Sequence, residues 1–349
     1  MDWTSIVSII TAYVLTIAGV GLWRRFALRR ELLDVPNERS SHVVPTPSGG
    51  GVVIFFVSIA WLIFFAVQNG KIAEISPFLV GAVMIAGISW LDDLYDLPSL
   101  MRFAVHLVAA AIVVFGIGYF RRIELPYLES IEIVSPFGQL LTLLWIVGLT
   151  NAYNFMDGID GIAGTQALIA GAGWCGIGFF YNQPLIFFLG GLLIAVSLGF
   201  LWHNWQPARI FMGDVGSAFI GFTLAVLPLF ALRNGAAENK LAIIGVLLVW
   251  AFVFDTGLTF VLRLRRGENV LAAHRSHLYQ RLVIAGFSHQ KVTLVYGFSA
   301  LAGAALSLFF VAAGTGFVNV ISIILTVFCL SLWLLVKIIE SLFAESSTK

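Results

Sequence analysis

Long apolar runs separated by short polar segments make up most of this chain. A membrane span needs about 20 mostly apolar residues, so the short run at 138–150 predicts a tilted, kinked or partly spanning helix. The pattern predicts an all-α, polytopic membrane bundle of about eleven transmembrane helices, with ten as the alternative, in one domain covering 1–349. The predicted spans are 3–23, 49–68, 77–91, 101–118, 138–150, 161–181, 184–202, 216–232, 240–262, 291–313 and 317–340.

The composition agrees with a membrane protein. Hydrophobic residues account for 59% of the chain and charged residues for 11%, whereas soluble domains are about a quarter charged. A net charge of +1 without a long basic block argues against a nucleic-acid partner. Cys175 and Cys329 fall in apolar runs, which indicates buried small side chains and neither a disulfide nor a metal site. The first run is too long for a cleaved signal peptide.

The charged residues predict the orientation. Fifteen of the 20 Lys and Arg residues lie on one side of the spans. Because positive loops stay in the cytoplasm, the N-terminus is expected outside, with cytoplasmic loops at about 24–48, 92–101, 151–160, 203–216 and 263–290. Seven of the nine aspartates lie in or beside these loops, whereas the glutamates divide evenly. Helix caps explain two or three aspartates, but adjacent pairs and clusters indicate a site.

Two acidic motifs in the inner loops are candidates for the chemistry. Asp92 and Asp93 are adjacent carboxylates, which repel unless a divalent cation, a basic substrate or a proton offsets their charge. Asn154, Asp157 and Asp160 are spaced by three, so a helical turn would bring their side chains near one face. Amide and carboxylate oxygens suit Mg²⁺, and this spacing favours a metal site over a plain polar turn.

The last two inner loops add further candidates. Asp214 lies between two glycines just before a span, where its carboxylate could reach a metal at the bilayer surface. Phe211 could stack on a base, and an ordinary packing role is equally consistent. If the fifth loop is helical, His274, His277 and Arg281 share a face that could hold a diphosphate. The alternatives are a zinc pair without a third ligand and a basic helix on the membrane surface.

Two other features concern loop structure. The glycines at 49–51 precede a span, and their N–H groups could hold an anion or simply form a solvated connector. Asp255 lies within a predicted span, where an ionisable group is functional or paired. Because Asp255, Thr259 and Arg263 lie on one helical stripe, we expect Asp255 to make an internal polar contact that orients the fifth loop.

Three of these motifs occur together in an order that resembles one known family. They are Asp92-Asp93, Asn151-x-x-Asn154-x-x-Asp157-Gly-Ile-Asp160-Gly and Phe211-Met-Gly-Asp214-x-Gly-Ser. The chain from about Asp34 to Arg281 is similar to the polyprenyl-phosphate N-acetylhexosamine-1-phosphate transferases, glycosyltransferase family 4. The resemblance implies a multi-pass bundle in the bacterial inner membrane with its site in a cytoplasmic cleft. It also implies transfer of a sugar-1-phosphate from a UDP-N-acetylhexosamine to undecaprenyl phosphate, with release of UMP.

The resemblance assigns roles to individual residues. It implies that Asp214 is the principal Mg²⁺ ligand and Asn154 a second one, with Mn²⁺ as an alternative metal. Asp92, Asp93 and Asp157 match catalytic positions. The positions expected to bind substrate are Asn204, Asp160 and Phe211 for uridine, Arg102 near the phosphates, and the predicted face of His274, His277 and Arg281.

The resemblance also bears on substrate and assembly. Both the first loop and the loop at 273–281 look more like the branches that start O-antigen or other cell-surface polysaccharides than like the peptidoglycan enzyme. Some enzymes of the O-antigen branch use deoxy-N-acetylhexosamines, so the identity of the sugar stays open. A homodimer is a further implication of the resemblance.

Two mechanisms and two other functions remain as alternatives at this point. The lipid phosphate could attack the sugar-bearing phosphate directly, or an aspartyl-phosphate could form first. A transporter usually places polar residues near the bilayer midplane, whereas here they crowd at one membrane face and only Asp255 lies within a span. A non-catalytic membrane scaffold would not need asparagines and carboxylates at such close spacing. The residues therefore favour a transferase.

Overall fold

A computed structural model shows a helical bundle built around apolar helices. It describes residues 3–36, 41, 44–123, 131–233, 240–269, 274–313 and 315–347. Parts of two predicted loops, residues 37–40, 42–43 and 270–273, lie outside this description. Within the described residues, nine helices are long and apolar enough to cross a membrane, or ten if one sharply bent pair counts as a single span. The prediction of an all-α polytopic membrane bundle is confirmed.

Thirteen α-helices lie in the described residues, and they follow the predicted runs closely. They are α1 (Trp3–Arg29), α2 (Gly51–Gln68), α3 (Ile72–Tyr95), α4 (Ser99–Gly116), α5 (Ser135–Phe155), α6 (Ile162–Phe180), α7 (Pro184–Asn204), α8 (Asp214–Arg233), α9 (Leu241–Leu247), α10 (Trp250–Arg265), α11 (Leu278–Ile284), α12 (His289–Ala313) and α13 (Val318–Ser347). The short run at 138–150 belongs to α5, which is 21 residues long but is not among the helices apolar enough to count as spans.

Two short antiparallel ladders were not predicted. Strand β1 (Leu33–Asp34) pairs with β2 (Thr46–Pro47), and β3 (Arg122–Ile123) pairs with β4 (Ile131–Glu132). Each strand has only two residues, so the ladders carry no alternation of apolar and polar positions that a sequence could reveal. The β1–β2 ladder matters for the site because it pairs the two ends of the first inner loop shortly before α2 begins.

Helix α8 lies at the centre of the bundle. In its most apolar 18-residue stretch 94% of the residues are buried, against 22% for α1 and 17% for α13. A helix that is apolar on all sides is expected to be buried. Aromatic contacts pack α8 against its neighbouring helices. Phe219 packs edge-on against Phe55 of α2, and Phe222 stacks on Phe78 of α3. The buried position of α8 gives Asp214, its first residue, a rigid base.

The predicted span at 240–262 is broken. Helices α9 and α10 meet at an angle of 79°, and the break leaves a backbone carbonyl without its helical partner. Gln166 of α6 donates its side-chain amide to that carbonyl, Leu248 O, at 2.7 Å, and Trp250 Nε1 donates to Ser299 O of α12 at 2.7 Å. These bonds hold α10 at its angle, so that α10 brings Asp255 to the loop end of the bundle.

Candidate functional site

A cavity of about 650 Å³ opens where the five predicted inner loops converge. Described residues of all five loops therefore lie close together at one end of the bundle. Seven of the predicted site residues line it, namely Asp93, Asn154, Asp157, Asp160, Asn204, Phe211 and Asp214. The other five, Asp92, Arg102, His274, His277 and Arg281, are not part of its lining.

The adjacent carboxylates at the end of α3 have different surroundings. Asp92 accepts a hydrogen bond from Leu97 N at 2.8 Å through one oxygen and contacts Arg102 through the other. Asp93 lines the cavity. The two residues point in different directions because neighbouring helical side chains diverge by about 100°. Asp92 therefore closes the α3–α4 turn, and Asp93 is the member of the pair that a ligand can reach.

Asp214 is held by two neighbours at the start of α8. Arg102 Nη1 lies 3.4 Å from Asp214 Oδ2, and the side-chain amide of Asn154 donates to the same oxygen at 3.2 Å. The other end of the Asn154 amide accepts from Ser217 Oγ at 2.6 Å. Gly213, directly before Asp214, has φ of +76°, a conformation that favours glycine. In this geometry Asn154 orients Asp214 and offers its own oxygen to Ser217.

Asp157 is the acidic residue of the cavity whose negative charge is least offset by its described neighbours. It lies in the turn between α5 and α6 and lines the cavity, and among the described residues its carboxylate has no recorded hydrogen-bond partner. Burial, followed by the charges of Asp214 and Asp160, raises the pKa of Asp157 well above its ordinary value of 3.8. A carboxylate in that position gains from any cation that enters the cavity.

The predicted uridine positions also connect the third and fourth inner loops. Asn204 accepts from Gly161 N and donates to Ile210 O, both at 2.9 Å. Asp160 accepts from Ala208 N at 3.0 Å. These bonds make one wall of the cavity rigid, and the ring of Phe211 lies partly exposed in that wall.

His289 is a cavity residue that the sequence analysis missed. Its Nδ1 lies 3.2 Å from Asp160 Oδ1, and its Nε2 donates to Ser41 O at 3.1 Å. The residue therefore joins the first inner loop to the third from the first turn of α12. The signal in the sequence was a histidine at the inner end of a span, which is weak because polar residues are common there.

The glycines of the first loop do not form an open anion site. Gly50 N donates to Phe211 O at 2.9 Å, and Gly51 N donates to Met212 O at 2.8 Å. Phe211 N in turn donates to Pro47 O. The N–H groups of Gly50 and Gly51 are thus used to fasten the first loop to the fourth, and the anion alternative is wrong for these two residues.

The fifth loop differs from its prediction. Helix α11 begins only at Leu278, so His274 and His277 precede it and the expected shared helical face is wrong. Burial, followed by the charge of His277, lowers the pKa of His274 to about 4, which leaves its imidazole neutral at pH 7. Arg281 contacts Glu340 of α13 with two nitrogens. Substrate binding by these three residues stays a prediction.

The prediction for Asp255 is confirmed. Its fully buried carboxylate accepts from Leu278 N at 2.8 Å and from Tyr279 N at 3.1 Å, and it lies 3.3 Å from His277 Nδ1. Asp255 therefore caps the first turn of α11 and orients the fifth loop. Arg263 of the same stripe contacts Glu268 instead.

The carboxylates that line the cavity fit a metal ion that is coordinated jointly by the protein and by a bound ligand. In the part of the chain that the structure describes, no three Asp, Glu, His or Cys side chains are close enough to enclose a metal ion by themselves. Asp93, Asp157 and Asp214 all line the cavity, and Mg²⁺ is usually held by one or two carboxylates together with substrate phosphates. The chemistry of these residues fits that second arrangement.

Comparison with known proteins places the chain in a family. Residues 75–231 match the family model described as glycosyl transferase family 4. The chain is 33% identical to decaprenyl-phosphate N-acetylglucosaminephosphotransferase of Mycobacterium tuberculosis, over 86% of this chain and 82% of the relative. It is 30% identical to the probable undecaprenyl-phosphate N-acetylglucosaminyl 1-phosphate transferase of Bacillus subtilis, over 83% and 79%. It is 26% identical to undecaprenyl-phosphate alpha-N-acetylglucosaminyl 1-phosphate transferase of Salmonella typhi, over 82% and 79%. The chain therefore belongs to glycosyl transferase family 4, the polyprenyl-phosphate N-acetylhexosamine-1-phosphate transferases.

Proposed function

We propose that the protein transfers N-acetylglucosamine-1-phosphate from UDP-N-acetylglucosamine to undecaprenyl phosphate, releases UMP and so starts a lipid-linked cell-surface polysaccharide such as O-antigen. The sequence left the sugar open, and the names of the three relatives favour N-acetylglucosamine. The observation that carries the proposal is the cavity in which Asp93, Asp157 and Asp214 meet at one end of a membrane bundle.

The geometry supports separate positions for the two substrates. Trp90 and Leu94 line the cavity beside Asp93, and Leu94 is 50% exposed on the outside of α3. A polyprenyl chain can therefore stay in the lipid while its phosphate reaches Asp93. The uridine would lie against the wall built by the third and fourth inner loops, where Phe211 offers an aromatic face and Asp160 and Asn204 hold the loops together.

Mg²⁺ is part of the proposal. Asp214 and Asp157 would hold it together with the diphosphate of the donor, while Asn154 keeps Asp214 in place. When bound, the ion neutralises charge on the diphosphate and so lowers the barrier to attack by another anion. Arg102 provides a fixed positive charge beside Asp214 whether or not a metal is present.

The protein residues suggest a direct reaction. Asp93, the accessible member of its pair, takes a proton from the lipid phosphate. An oxygen of that phosphate then forms a bond to the sugar-bearing phosphorus of the donor. The bond from this phosphorus to the bridging oxygen breaks, and that oxygen leaves with UMP. A single displacement inverts a chiral phosphorus, so retention would overturn this route in favour of a covalent aspartyl-phosphate.

One assay tests the proposal. Purified protein with Mg²⁺ and undecaprenyl phosphate is given a panel of UDP-N-acetylhexosamines, including deoxy sugars, and released UMP and labelled lipid are measured. We expect UMP and lipid-linked sugar in equal amounts with UDP-N-acetylglucosamine. Absence of UMP with every donor would overturn the proposal.

The buried contacts of Asp255 with α11 support a structural role for this residue. They therefore remove the one sequence feature, an ionisable residue within a predicted span, that favoured a transporter.

A further inference from the structure

Tyr279 of α11 contacts the loop that carries Asp157. Its side chain is 1% exposed, and its hydroxyl donates to Phe155 O at 3.0 Å. Phe155 is the last residue of α5 and precedes Asp157 by two positions. The bond therefore fixes the backbone at the point where the chain leaves α5 and turns into the cavity.

The Tyr279 hydroxyl also packs closely against Gly158, which follows Asp157 in the loop. A Cβ atom built on Gly158 would lie 2.1 Å from the Tyr279 oxygen, far inside any allowed contact. Only glycine can bring the backbone this close to the ring. The segment from Phe155 to Gly158, with Asp157 inside it, thus packs directly against Tyr279.

Asp255 fixes Tyr279 in turn. The Asp255 carboxylate accepts the backbone N–H groups of Leu278 and Tyr279, which are among the N–H groups that the first turn of α11 leaves without helical partners. Tyr296 of α12 donates its hydroxyl to the same carboxylate. The Asp255 carboxylate on α10 therefore holds the first turn of α11 in place and, through that turn, the ring of Tyr279.

The direction of the Tyr279 bond is also fixed. A backbone carbonyl can only accept, so the phenol must keep its proton to make the contact with Phe155 O. Burial, followed by the charges of Asp255 and Asp157, raises the pKa of Tyr279. Both effects favour the protonated hydroxyl that the bond to Phe155 O requires.

We propose that Asp255 and Tyr279 are positioning residues that set the place of the Asp157 carboxylate relative to Asp214 in the transferase site. The inference deepens the proposed function and rests on it for its kinetic test. Neither residue lines the cavity, so neither is a catalytic residue. A displacement of about 1 Å at a reacting group can cost about a hundredfold in rate, and a single hydroxyl at the base of a short loop can control such a displacement.

The kinetic test compares two tyrosines. Tyr279→Phe removes the bond to Phe155, and we expect kcat to fall about tenfold while KM for UDP-N-acetylglucosamine changes less than twofold. Tyr296→Phe is the comparison variant, because it removes a buried hydroxyl that donates to Asp255 but leaves in place the bond of Tyr279 to Phe155 O and the two backbone N–H bonds to Asp255. We expect its kcat within twofold of the wild type. Equal kcat values for the two variants would overturn the inference.

Asp255→Asn extends the test. One end of the amide is an NH₂ group, which would face a backbone N–H where the carboxylate now accepts. We expect kcat to fall about a hundredfold, and the double variant with Tyr279→Phe to lose little more than Asp255→Asn alone. Fully multiplicative losses would show that the two residues act separately and would contradict the proposal.

Hydrogen–deuterium exchange gives a readout that does not need activity. Peptides covering 155–161 should exchange faster in Tyr279→Phe and Asp255→Asn than in the wild type and in Tyr296→Phe, while peptides from α8 exchange equally in all four. Unchanged exchange at 155–161 in the first two variants would overturn the inference. A wild type that transfers no sugar would overturn the proposed function alone, since the exchange result still decides the role of Tyr279.

Discussion

The guanidinium of Arg102 lies 3.4 Å from the carboxylate of Asp214 and joins the start of α4 to the start of α8. The same nitrogen contacts Asp92 at the end of α3. The positive charge of Arg102 thus partly offsets the negative charges of two carboxylates at this end of the bundle. Asp93 and Asp157 line the cavity, and their charges depend most on the cation or the proton that a bound ligand supplies.

The unequal surroundings of Asp92 and Asp93 predict unequal effects of the same substitution. Asparagine at position 92 can keep only one of the two contacts, with Leu97 N or with Arg102, because its second terminal group is an NH₂ donor. Asp92 takes no proton in the proposed reaction, so we expect Asp92→Asn to lower kcat only about tenfold. Asparagine at position 93 cannot take a proton from the lipid phosphate, so Asp93→Asn should lower kcat at least a thousandfold. UMP release at saturating donor measures both, and an equal or reversed order would contradict the assignment of Asp93 as the base.

Arg102→Lys should lower activity although it preserves the charge. A lysine ammonium cannot reproduce the fork of a guanidinium, and loss of a charge-assisted hydrogen bond costs about 1.5–3 kcal/mol. That corresponds to a loss of about ten- to a hundredfold in kcat/KM. Arg122→Lys is the matched control, since Arg122 also pairs with a carboxylate, but its partner Glu132 of β4 does not line the cavity, whereas Asp214, the partner of Arg102, does. If both variants keep wild-type kcat/KM, Arg102 has no part in the reaction.

Asp157→Asn should stabilise the substrate-free protein while it abolishes transfer. The folded-state pKa of Asp157 is raised above 3.8 by burial and by Asp214 and Asp160. Between 3.8 and that raised value the folded state holds a proton that the unfolded state has lost, so wild-type stability falls as pH rises. Asparagine lacks this dependence.

The thermal midpoint of Asp157→Asn should therefore exceed that of the wild type by an amount that grows as pH increases from about 4 and then becomes constant. The difference should disappear below 3.8, where both states of the wild type are protonated. Thermal unfolding of both proteins across this pH range, without substrate or metal, measures it. A gap that shrinks with rising pH would contradict the described environment of Asp157.

Asp214→Ala should abolish activity and metal-dependent ligand binding without unfolding the bundle. Any ligand that binds only the folded state raises the unfolding temperature, so Mg²⁺ with UMP should stabilise the wild type and not the variant. Thermal unfolding with and without these additions, together with UMP release, provides both readouts. Retained activity, or equal stabilisation of both proteins, would remove Asp214 from the metal role.

Much of the fold follows from the sequence because a bilayer imposes a simple requirement. Each span must be a helix of sufficient apolar length, since backbone polar groups have no other partners in lipid. The runs that predicted α1 to α4, α6 to α8, α12 and α13 are therefore visible in the chain. The break between α9 and α10 is not visible, because its stability depends on a side-chain amide from Gln166 that is distant in sequence.

The composition of the candidate site is likewise evident from the sequence, whereas the orientation of its side chains is not. Repulsion between adjacent carboxylates marks Asp92 and Asp93 in the sequence, and the spacing of three residues marks Asp157 and Asp160. The sequence could not distinguish Asp92 from Asp93, and it could not find His289 or Tyr279. Those distinctions depend on contacts between residues far apart in the chain, such as Tyr279 with Phe155 and Arg102 with Asp214. Local spacing determined which residues gather at the membrane surface, and only tertiary packing decided which of them face the cavity and which hold the others in place.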